Sequence, residues 1–206
     1  MAWKILNLLI GVPFKKLFIK EIIGKENIPK NPPFIVASNH ASYMDIVFIC
    51  KIMLDKFNKK THYVSHPGIY GRKLPNFVYV DYAGCIPLDV PKEEFFSNVK
   101  EKLKNKKIVA IFPEGYYTSD GKIKKFKIGV GRMVLESKVP VLPVAIRGTH
   151  YICPGVKLIP KFKKIVRVII GKPMTFNKYY NVKPVQTAYE NIASEVEAEV
   201  KKLFKT

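Results

Sequence analysis

The stretch Phe34-Ile35-Val36-Ala37-Ser38-Asn39-His40-Ala41-Ser42-Tyr43-Met44-Asp45-Ile46-Val47-Phe48 decides the fold. Its first five residues follow Pro32-Pro33 as a short, continuous apolar run, which reads as a strand covered on both faces. From Ser42 onward, Met44, Val47, Phe48 and Ile52 recur at helical spacing, so a helix is expected over 42–54. His40 therefore falls at a strand-to-helix junction. Further apolar runs at Tyr63-Val64-Ser65, Cys85-Ile86-Pro87-Leu88, 108–112, 141–146 and 166–170 supply more strands. Helical patterns over 91–104, over 126–137 and from Pro184 onward separate most of them, the last with Val185, Ala188, Tyr189, Ile192, Val196, Val200 and Leu203 on one face. Pro91 suits a first helical position, and Glu93 and Glu94 early with Lys102 and Lys104 late complement the helix dipole. Strands alternating with helices give an α/β fold, a single domain with a largely parallel sheet flanked by helices.

Open α/β sheets bind ligands beyond the carboxyl ends of their strands. His40 and Glu114 both follow directly from expected strands, so two loops far apart in sequence are placed to meet in one crevice. Asp45 comes five residues after His40. Five residues of regular helix turn through roughly 500°, leaving two side chains about 140° apart, so the pair can meet only if His40 precedes the helix and Asp45 sits in its first turn. Asn39 or Ser42 offers the side-chain oxygen or backbone contacts suited to that helix entry. An Asp on one ring nitrogen fixes the imidazole tautomer and leaves the other nitrogen as a base.

The 206 residues, 48% of them hydrophobic, are enough for one sizeable core and short for two. Cys50, Cys85 and Cys153 are odd in number and without a C-x-x-C pair, which indicates neither a disulfide framework nor a zinc site. His62, His66 and His150 are spread over different loops or strands and make no metal constellation. Gly129-Val130-Gly131 is half of a dinucleotide fingerprint without its third glycine, and there is no P-loop. Neither a metal nor a nucleotide cofactor is implied. The net charge of +20 draws in anionic lipid headgroups, nucleic acid or an acidic protein alike. Lysine–aromatic neighbours at Lys125-Phe126-Lys127 and Lys161-Phe162-Lys163 are scattered and belong to no nucleic-acid module, so no specific nucleic-acid partner is expected.

Residues 1–24 read differently from 25–206. Ile5, Leu8, Leu9 and Val12 precede Pro13 at helical spacing, and Phe14, Leu17, Phe18 and Ile22 follow among Lys15, Lys16 and Lys20. The apolar run is far below the roughly 18–20 residues that span a bilayer, and no small-residue cleavage site follows it. With Trp3 and the lysines, the segment suits an amphipathic helix lying in a membrane interface, attached to an anionic surface.

Three motifs carry a resemblance that extends over about 29–148. Asn39-His40-Ala41-Ser42-Tyr43-Met44-Asp45 fits N-H-x-S-x-x-D, Phe112-Pro113-Glu114-Gly115 opens like F-P-E-G-T-R-S, and Val139-Pro140-Val141-Leu142-Pro143-Val144 matches V-P-[VI]-x-P-V. In this order they resemble the glycerolipid acyltransferase family that includes bacterial 1-acylglycerol-3-phosphate acyltransferases. The resemblance implies an O-acyltransferase of phospholipid biosynthesis or remodelling, peripheral or monotopic on the cytoplasmic face of a membrane. Its donor would be acyl-CoA or acyl carrier protein and its acceptor the hydroxyl of a lysolipid. It implies His40 and Asp45 as catalytic residues, and Asn39, Ser42, Glu114, Gly115, Tyr116, Tyr117 and Lys127 as substrate-binding ones. Ser42 reads better as a capping hydroxyl than as a nucleophile, since the family transfers the acyl group directly. A backbone N–H near Gly115 or in the His40 loop would face the oxyanion.

Two positions depart from the family. Tyr116-Tyr117 stands in place of the T-R of F-P-E-G-T-R-S, and in Gly84-Cys85-Ile86-Pro87-Leu88-Asp89-Val90 the last residue replaces the arginine of G-x-I-x-[IV]-D-R. An arginine fork binds phosphate bidentately, whereas tyrosine offers one hydroxyl and a flat face. The acceptor headgroup therefore need not be a terminal phosphate monoester, or Lys73, Lys122, Lys124, Lys125, Lys127 or Arg147 supplies the cation. The same departures admit an alternative, a non-catalytic lipid-binding protein on the same fold.

Overall fold

The computed structural model describes residues 7–66, 84–155, 159–183 and 185–206. Trp3, Ile5, Lys73 and Pro184 lie outside the described residues. After a helical stretch at Asn7–Gly11 the elements are α1 (Val12–Phe18), β1 (Ile19–Ile23), β2 (Phe34–Ser38), α2 (Met44–Phe57) and β3 (Thr61–Ser65). Then follow β4 (Cys85–Pro87), α3 (Lys92–Lys104), β5 (Ile108–Ile111), α4 (Gly129–Ser137), β6 (Val141–Arg147), α5 (Thr149–Ile152), β7 (Val166–Ile170) and α6 (Val185–Lys205).

The seven strands form one sheet in the order β1-β7-β6-β2-β5-β3-β4. Every neighbouring pair is parallel except β6 and β7. β2 lies inside the sheet between β6 and β5, and its five residues are all buried. The period of two decides which side each serves. Phe34 and Val36 enter a cluster with Met44, Phe48, Ile52 and Met53 of α2, while Ile35 and Ala37 enter one built with α3, α4 and α6. Helices cover both faces, which explains the unbroken apolar runs.

The structure corrects three sequence expectations. Helix does not continue through Ile22, because Ile19–Ile23 is a strand paired with β7 along the sheet edge. Phe18 and Ile19 are buried in the α2-side cluster, so apolar residues spaced as for a helix are shared between a short helix and a strand. The division at residue 24 accordingly separates the sheet's own N-terminal strand from the rest of the sheet. The second correction is that α4 starts at Gly129 and not at 126. The Phe126 N–H donates to Glu197 Oε2 at 2.7 Å and the Lys127 N–H to the Pro113 carbonyl at 2.8 Å, so the chain arrives at the helix tethered to other elements. Pro91 likewise precedes its helix rather than opening it.

None of the three cysteines is in a disulfide, and burial pushes the thiols of Cys50 and Cys85 up to about 12, which leaves them without thiolate character near neutral pH. The half fingerprint at Gly129-Val130-Gly131 has a packing explanation. A Cβ on Gly131 would lie 2.1 Å from the Tyr189 carbonyl oxygen, so the missing side chain is what lets α4 approach the backbone of α6. Gly131→Ala should therefore lower stability by about 1–3 kcal/mol through overpacking, measured as a fall in the urea midpoint. Gly129→Ala, where a Cβ meets nothing within 4 Å, is the control and should not destabilise.

Candidate active site

β2 and β5 run parallel and in register, with Phe34 opposite Ile108 and Ala37 opposite Ile111. His40 and Glu114 each come three residues beyond that last pair. After β2 the chain turns into α2 on one face, and after β5 it reaches α4 on the other. Adjacent strands whose connections leave to opposite faces make the crevice where such sheets bind ligands.

His40 is held at its backbone, its ring edge and its ring faces. Its N–H donates to Glu114 Oε1 at 2.7 Å, and its carbonyl accepts the Thr118 N–H at 2.9 Å. Nδ1 lies 3.0 Å from Asp45 Oδ2. The ring stacks on Phe112, with centroids 3.8 Å apart and planes 13° off parallel, and packs against Tyr117 at 4.2 Å.

Asp45 is the second residue of α2 and is wholly buried. Its Oδ2 also accepts the N–H groups of Ala41 and Ser42, both at 2.8 Å. An oxygen already accepting two backbone N–H groups is placed to accept from Nδ1 as well. The hydrogen then belongs on Nδ1 and the lone pair on Nε2, at the far side of the ring. The first turn of α2 thus builds the carboxylate support that the spacing required.

The remaining expected site residues divide into two groups. Asn39, Ser42 and Glu114 turn inward. The Asn39 amide donates to the Ile146 carbonyl at 2.9 Å and accepts the Ile146 N–H at 2.8 Å, extending the β2–β6 ladder by one side-chain rung. Ser42 is buried, and its Oγ accepts the Met44 N–H at 3.2 Å. Glu114 is only 4% exposed and has both oxygens engaged, Oε1 with His40 and Oε2 with the Lys124 N–H at 2.7 Å. The polar atoms of these three side chains are taken up within the protein, Ser42 at the helix entry as its capping reading expects, and Asn39 and Glu114 on backbone groups.

Gly115, Tyr116, Tyr117 and Lys127 line, with His40, a cleft of about 410 Å³. Gly115 has φ +84°, and a Cβ there would meet the Lys127 side chain at 2.5 Å from Nζ, so the glycine gives the ammonium its place beside the Phe112 turn. Lys127 Nζ also lies 5.0 Å from the Tyr116 ring centroid. The opposite wall is apolar, with Val64, Leu88, Val90, Phe95, Phe96 and Val130. His66 and Lys92 line it too, and no motif announced them. Both positions that depart from the resembled family, Val90 and Tyr117, face this one cleft.

The backbone amides of Gly115 and of the His40 loop are already engaged. Gly115 N–H closes a turn onto the Phe112 carbonyl at 3.0 Å, Tyr43 N–H reaches the Gly155 carbonyl at 3.1 Å, and those of His40, Ala41 and Ser42 serve carboxylates. The Lys127 ammonium has no carboxylate within 4.0 Å among the described residues and lines the same cleft as His40.

The geometry can be set beside known proteins. A family model described as Acyltransferase matches residues 20–147. The chain is 31% identical over 172 residues to the chloroplastic 1-acyl-sn-glycerol-3-phosphate acyltransferase LPAT1 of Arabidopsis thaliana, covering 81% of this chain and 46% of that protein. It therefore spans about half the length of that plant relative. It is 26% identical to the 1-acyl-sn-glycerol-3-phosphate acyltransferase of Bacillus subtilis, over 75% of this chain and 73% of the other. The crystal structure of the 1-acyl-sn-glycerophosphate (LPA) acyltransferase PlsC from Thermotoga maritima superposes with a TM-score of 0.69 at 30% identity, covering 97% of this chain and 77% of that one.

Burial pushes the Glu114 carboxyl up from 4.5 to about 7, against the two backbone N–H donors and with the Asp45 charge adding to the rise. The folded state thus holds this proton more tightly than the unfolded chain does. The stability drawn from this group is complete below about pH 4.5 and is lost as pH climbs through about 7, by about 3 kcal/mol in all. Glu114→Gln should flatten that segment of a plot of urea midpoint against pH. An unchanged slope in the variant would assign the titration to another group.

Proposed function

The chain belongs to the Acyltransferase family, and from that premise we propose that it is an O-acyltransferase whose acceptor is the hydroxyl of a lysophospholipid or related amphiphile. The observation that carries this reading is the His40–Asp45 pair at the mouth of an apolar-walled cleft. Acyl transfer to an alcohol needs a base, because a neutral hydroxyl is a poor nucleophile. His40 Nε2 removes the hydroxyl proton while the alcohol oxygen forms its bond to the carbonyl carbon of an acyl thioester. Asp45 holds the tautomer and stabilises the imidazolium that results. Collapse of the tetrahedral intermediate breaks the C–S bond, and His40 returns the proton to the departing thiolate. The products are an ester and a free thiol, from acyl-CoA or acyl carrier protein.

Asn39, Ser42 and Glu114 are positioning residues in this scheme, and the cleft-facing Gly115, Tyr116, Tyr117 and Lys127 bind substrate. The Lys127 ammonium takes the negative charge on the acceptor headgroup or on the oxyanion, a place the engaged amides leave to it. With Val90 and Tyr117 where the family has arginines, the headgroup need not be a phosphate monoester. The enzyme works as a peripheral protein on the cytoplasmic face of a membrane, in phospholipid synthesis or remodelling. Support comes from two observations. No helix of the described residues is long and apolar enough to cross a bilayer, and Leu8, Leu9 and Leu17 stand exposed beside Lys16 and Lys20. Val90 and Tyr117 also favour a second reading, a lipid-binding protein that has lost its acceptor chemistry.

Free thiol released from palmitoyl-CoA in detergent micelles, measured across a panel of lysolipids, separates the two. An acyltransferase shows acceptor-dependent release, and His40→Ala lowers it at least on the order of 10²-fold in a protein that still melts cooperatively. Asp45→Asn should cost on the order of 10²- to 10⁴-fold, since an amide facing Nδ1 favours the wrong tautomer. Stoichiometric acyl-CoA binding with no thiol release under any acceptor, repeated with acyl carrier protein as donor, would establish the lipid-binding reading instead. A large preference for lysophosphatidate over every other acceptor would overturn the relaxed headgroup.

A further inference from the structure

The connection between the antiparallel strands β6 and β7 carries α5 and then an extended stretch, residues 159–165, that is apolar and bare. Ile159 is 84% exposed and Phe162 77%, far beyond what a soluble surface needs. Tyr151 in α5 is 73% exposed, and Ile165 is also open. Lys161, Lys163 and Lys164 alternate with these apolar tips and are all exposed, with no ion pair among the described residues. The stretch is tied down despite its exposure. Lys161 N–H donates to the Ile152 carbonyl at 2.8 Å, and the Phe162 ring stacks on Phe18 of α1 with centroids 5.9 Å apart.

That stack joins two segments more than a hundred residues apart into one face. Leu17, Lys16 and Lys20 are exposed on or next to α1, while Lys15 is paired with Asp55 at 2.6 Å. Between α1's end and the stretch lies a second cleft, of about 530 Å³, whose walls include Lys20, Lys122 and Arg147 together with Tyr151 and Ile165, and also Arg167, which is paired with Glu21 at 2.5 Å. Asp120 lines it as well, but its Oδ1 is taken by the Thr118 hydroxyl and the Lys122 N–H. The face therefore pairs protruding apolar tips with a recessed set of cations. A second copy of this chain would bring the same positive charge to the contact. A bilayer bearing anionic headgroups matches both features, taking the tips into its acyl boundary and setting phosphates against the cations.

We propose that residues 159–165 are a second membrane-inserting element that docks, together with α1, on an anionic lipid surface, with Phe162 and Ile159 as the inserted side chains. This rests on the peripheral membrane reading above and names the surface that carries it. The docking also positions the candidate catalytic loop. Gly155, earlier in the same connection, donates its N–H to the Ala41 carbonyl at 2.9 Å and accepts the Tyr43 N–H, so the connection that carries the element is bonded to the residues that follow His40.

The test is sedimentation of the full chain with phosphatidylcholine vesicles with and without phosphatidylglycerol. Wild-type protein should bind the phosphatidylglycerol vesicles, less as salt is raised. The double variant Ile159→Ser/Phe162→Ser, with an unchanged melting temperature, should partition at least about tenfold more weakly. In a Trp3→Phe background, Phe162→Trp should shift its emission to the blue on these vesicles, whereas Val185→Trp, on the helix across the sheet, should not. A double variant that sediments like wild type, or a tryptophan at 162 that stays in water while the protein binds, overturns the proposal and leaves α1 as the sole anchor. If wild-type protein ignores every vesicle, the peripheral membrane reading falls with it. Acyl transfer is decided separately, by thiol release in micelles.

Discussion

The site depends on one constraint, the in-register parallel pairing of β2 with β5. Because Ala37 and Ile111 are partners, the chain leaves both strands at the same height, and the His40 N–H meets the Glu114 carboxylate across the gap. A slip of one residue would reverse the side on which every side chain of β2 lies and would carry His40 away from Phe112. The buried faces oppose such a slip, since Phe34 and Val36 must meet α2 while Ile35 and Ala37 meet α3, α4 and α6. Core packing therefore sets the position of the imidazole before any polar contact does. Asp45, the two aromatic rings and Glu114 then remove the freedom that remains.

The cost of that rigidity is borne by the loop's hydrogen-bond donors. Five successive amides from His40 to Met44 accept no ligand, because each already serves Glu114, Asp45, Gly155 or the Ser42 hydroxyl. A buried carboxylate is tolerable only when it is bonded in this way, so the support of the base and a backbone oxyanion hole compete for the same groups. The adjoining turn adds no donor at Gly115. Positive charge on the cleft wall is left to side chains, and Lys127 is held there by the space over Gly115. At the position where the resembled family has an arginine, Tyr117 contributes its ring to the packing of His40, so the replacement has joined the support of the base.

Periodicity made the central part of the fold legible. β2 and β7 have the bounds read from their apolar runs, and α2 and α6 follow their helical stripes, because the same burial that makes the pattern also makes the element. β1 was hidden because Phe14, Leu17, Phe18 and Ile22 keep a helical spacing, while Ile19–Ile23 has no clean alternation of buried and exposed positions to announce a strand. The start of α4 was hidden because what delays it is long-range, a bond from Phe126 to Glu197. At the site, the junction geometry of His40 and Asp45 could be argued from spacing alone. The inward turn of Asn39 and Glu114 could not. A polar side chain beside a crevice can serve ligand or backbone, and the choice depends on strand partners such as Ile146 that lie far along the chain. His66 and Lys92 reach the cleft only through the strand order, which local patterns do not encode.

The distribution of charge reconciles a strongly basic protein with a site that has lost two cations. The described cleft beside His40 holds few positive groups, Lys127 and Lys92 chiefly, and most of its wall is apolar. The second cleft, which includes Ala41 of the His40 loop, gathers four, of which Arg167 is paired with Glu21. A lipid substrate presents both kinds of surface, a chain that seeks the apolar wall and a headgroup layer that remains with the bilayer. If the basic face rests on that layer, attraction between protein and membrane is supplied outside the reacting centre, and the centre need only recognise a hydroxyl and an acyl chain. Arginines that bind one headgroup tightly would then be less necessary at the cleft, because the whole surface would already hold the protein against its substrate's neighbours. In such an arrangement the bonds from Gly155 to Ala41 and Tyr43 would tie the connection that carries the basic face to the loop that carries His40.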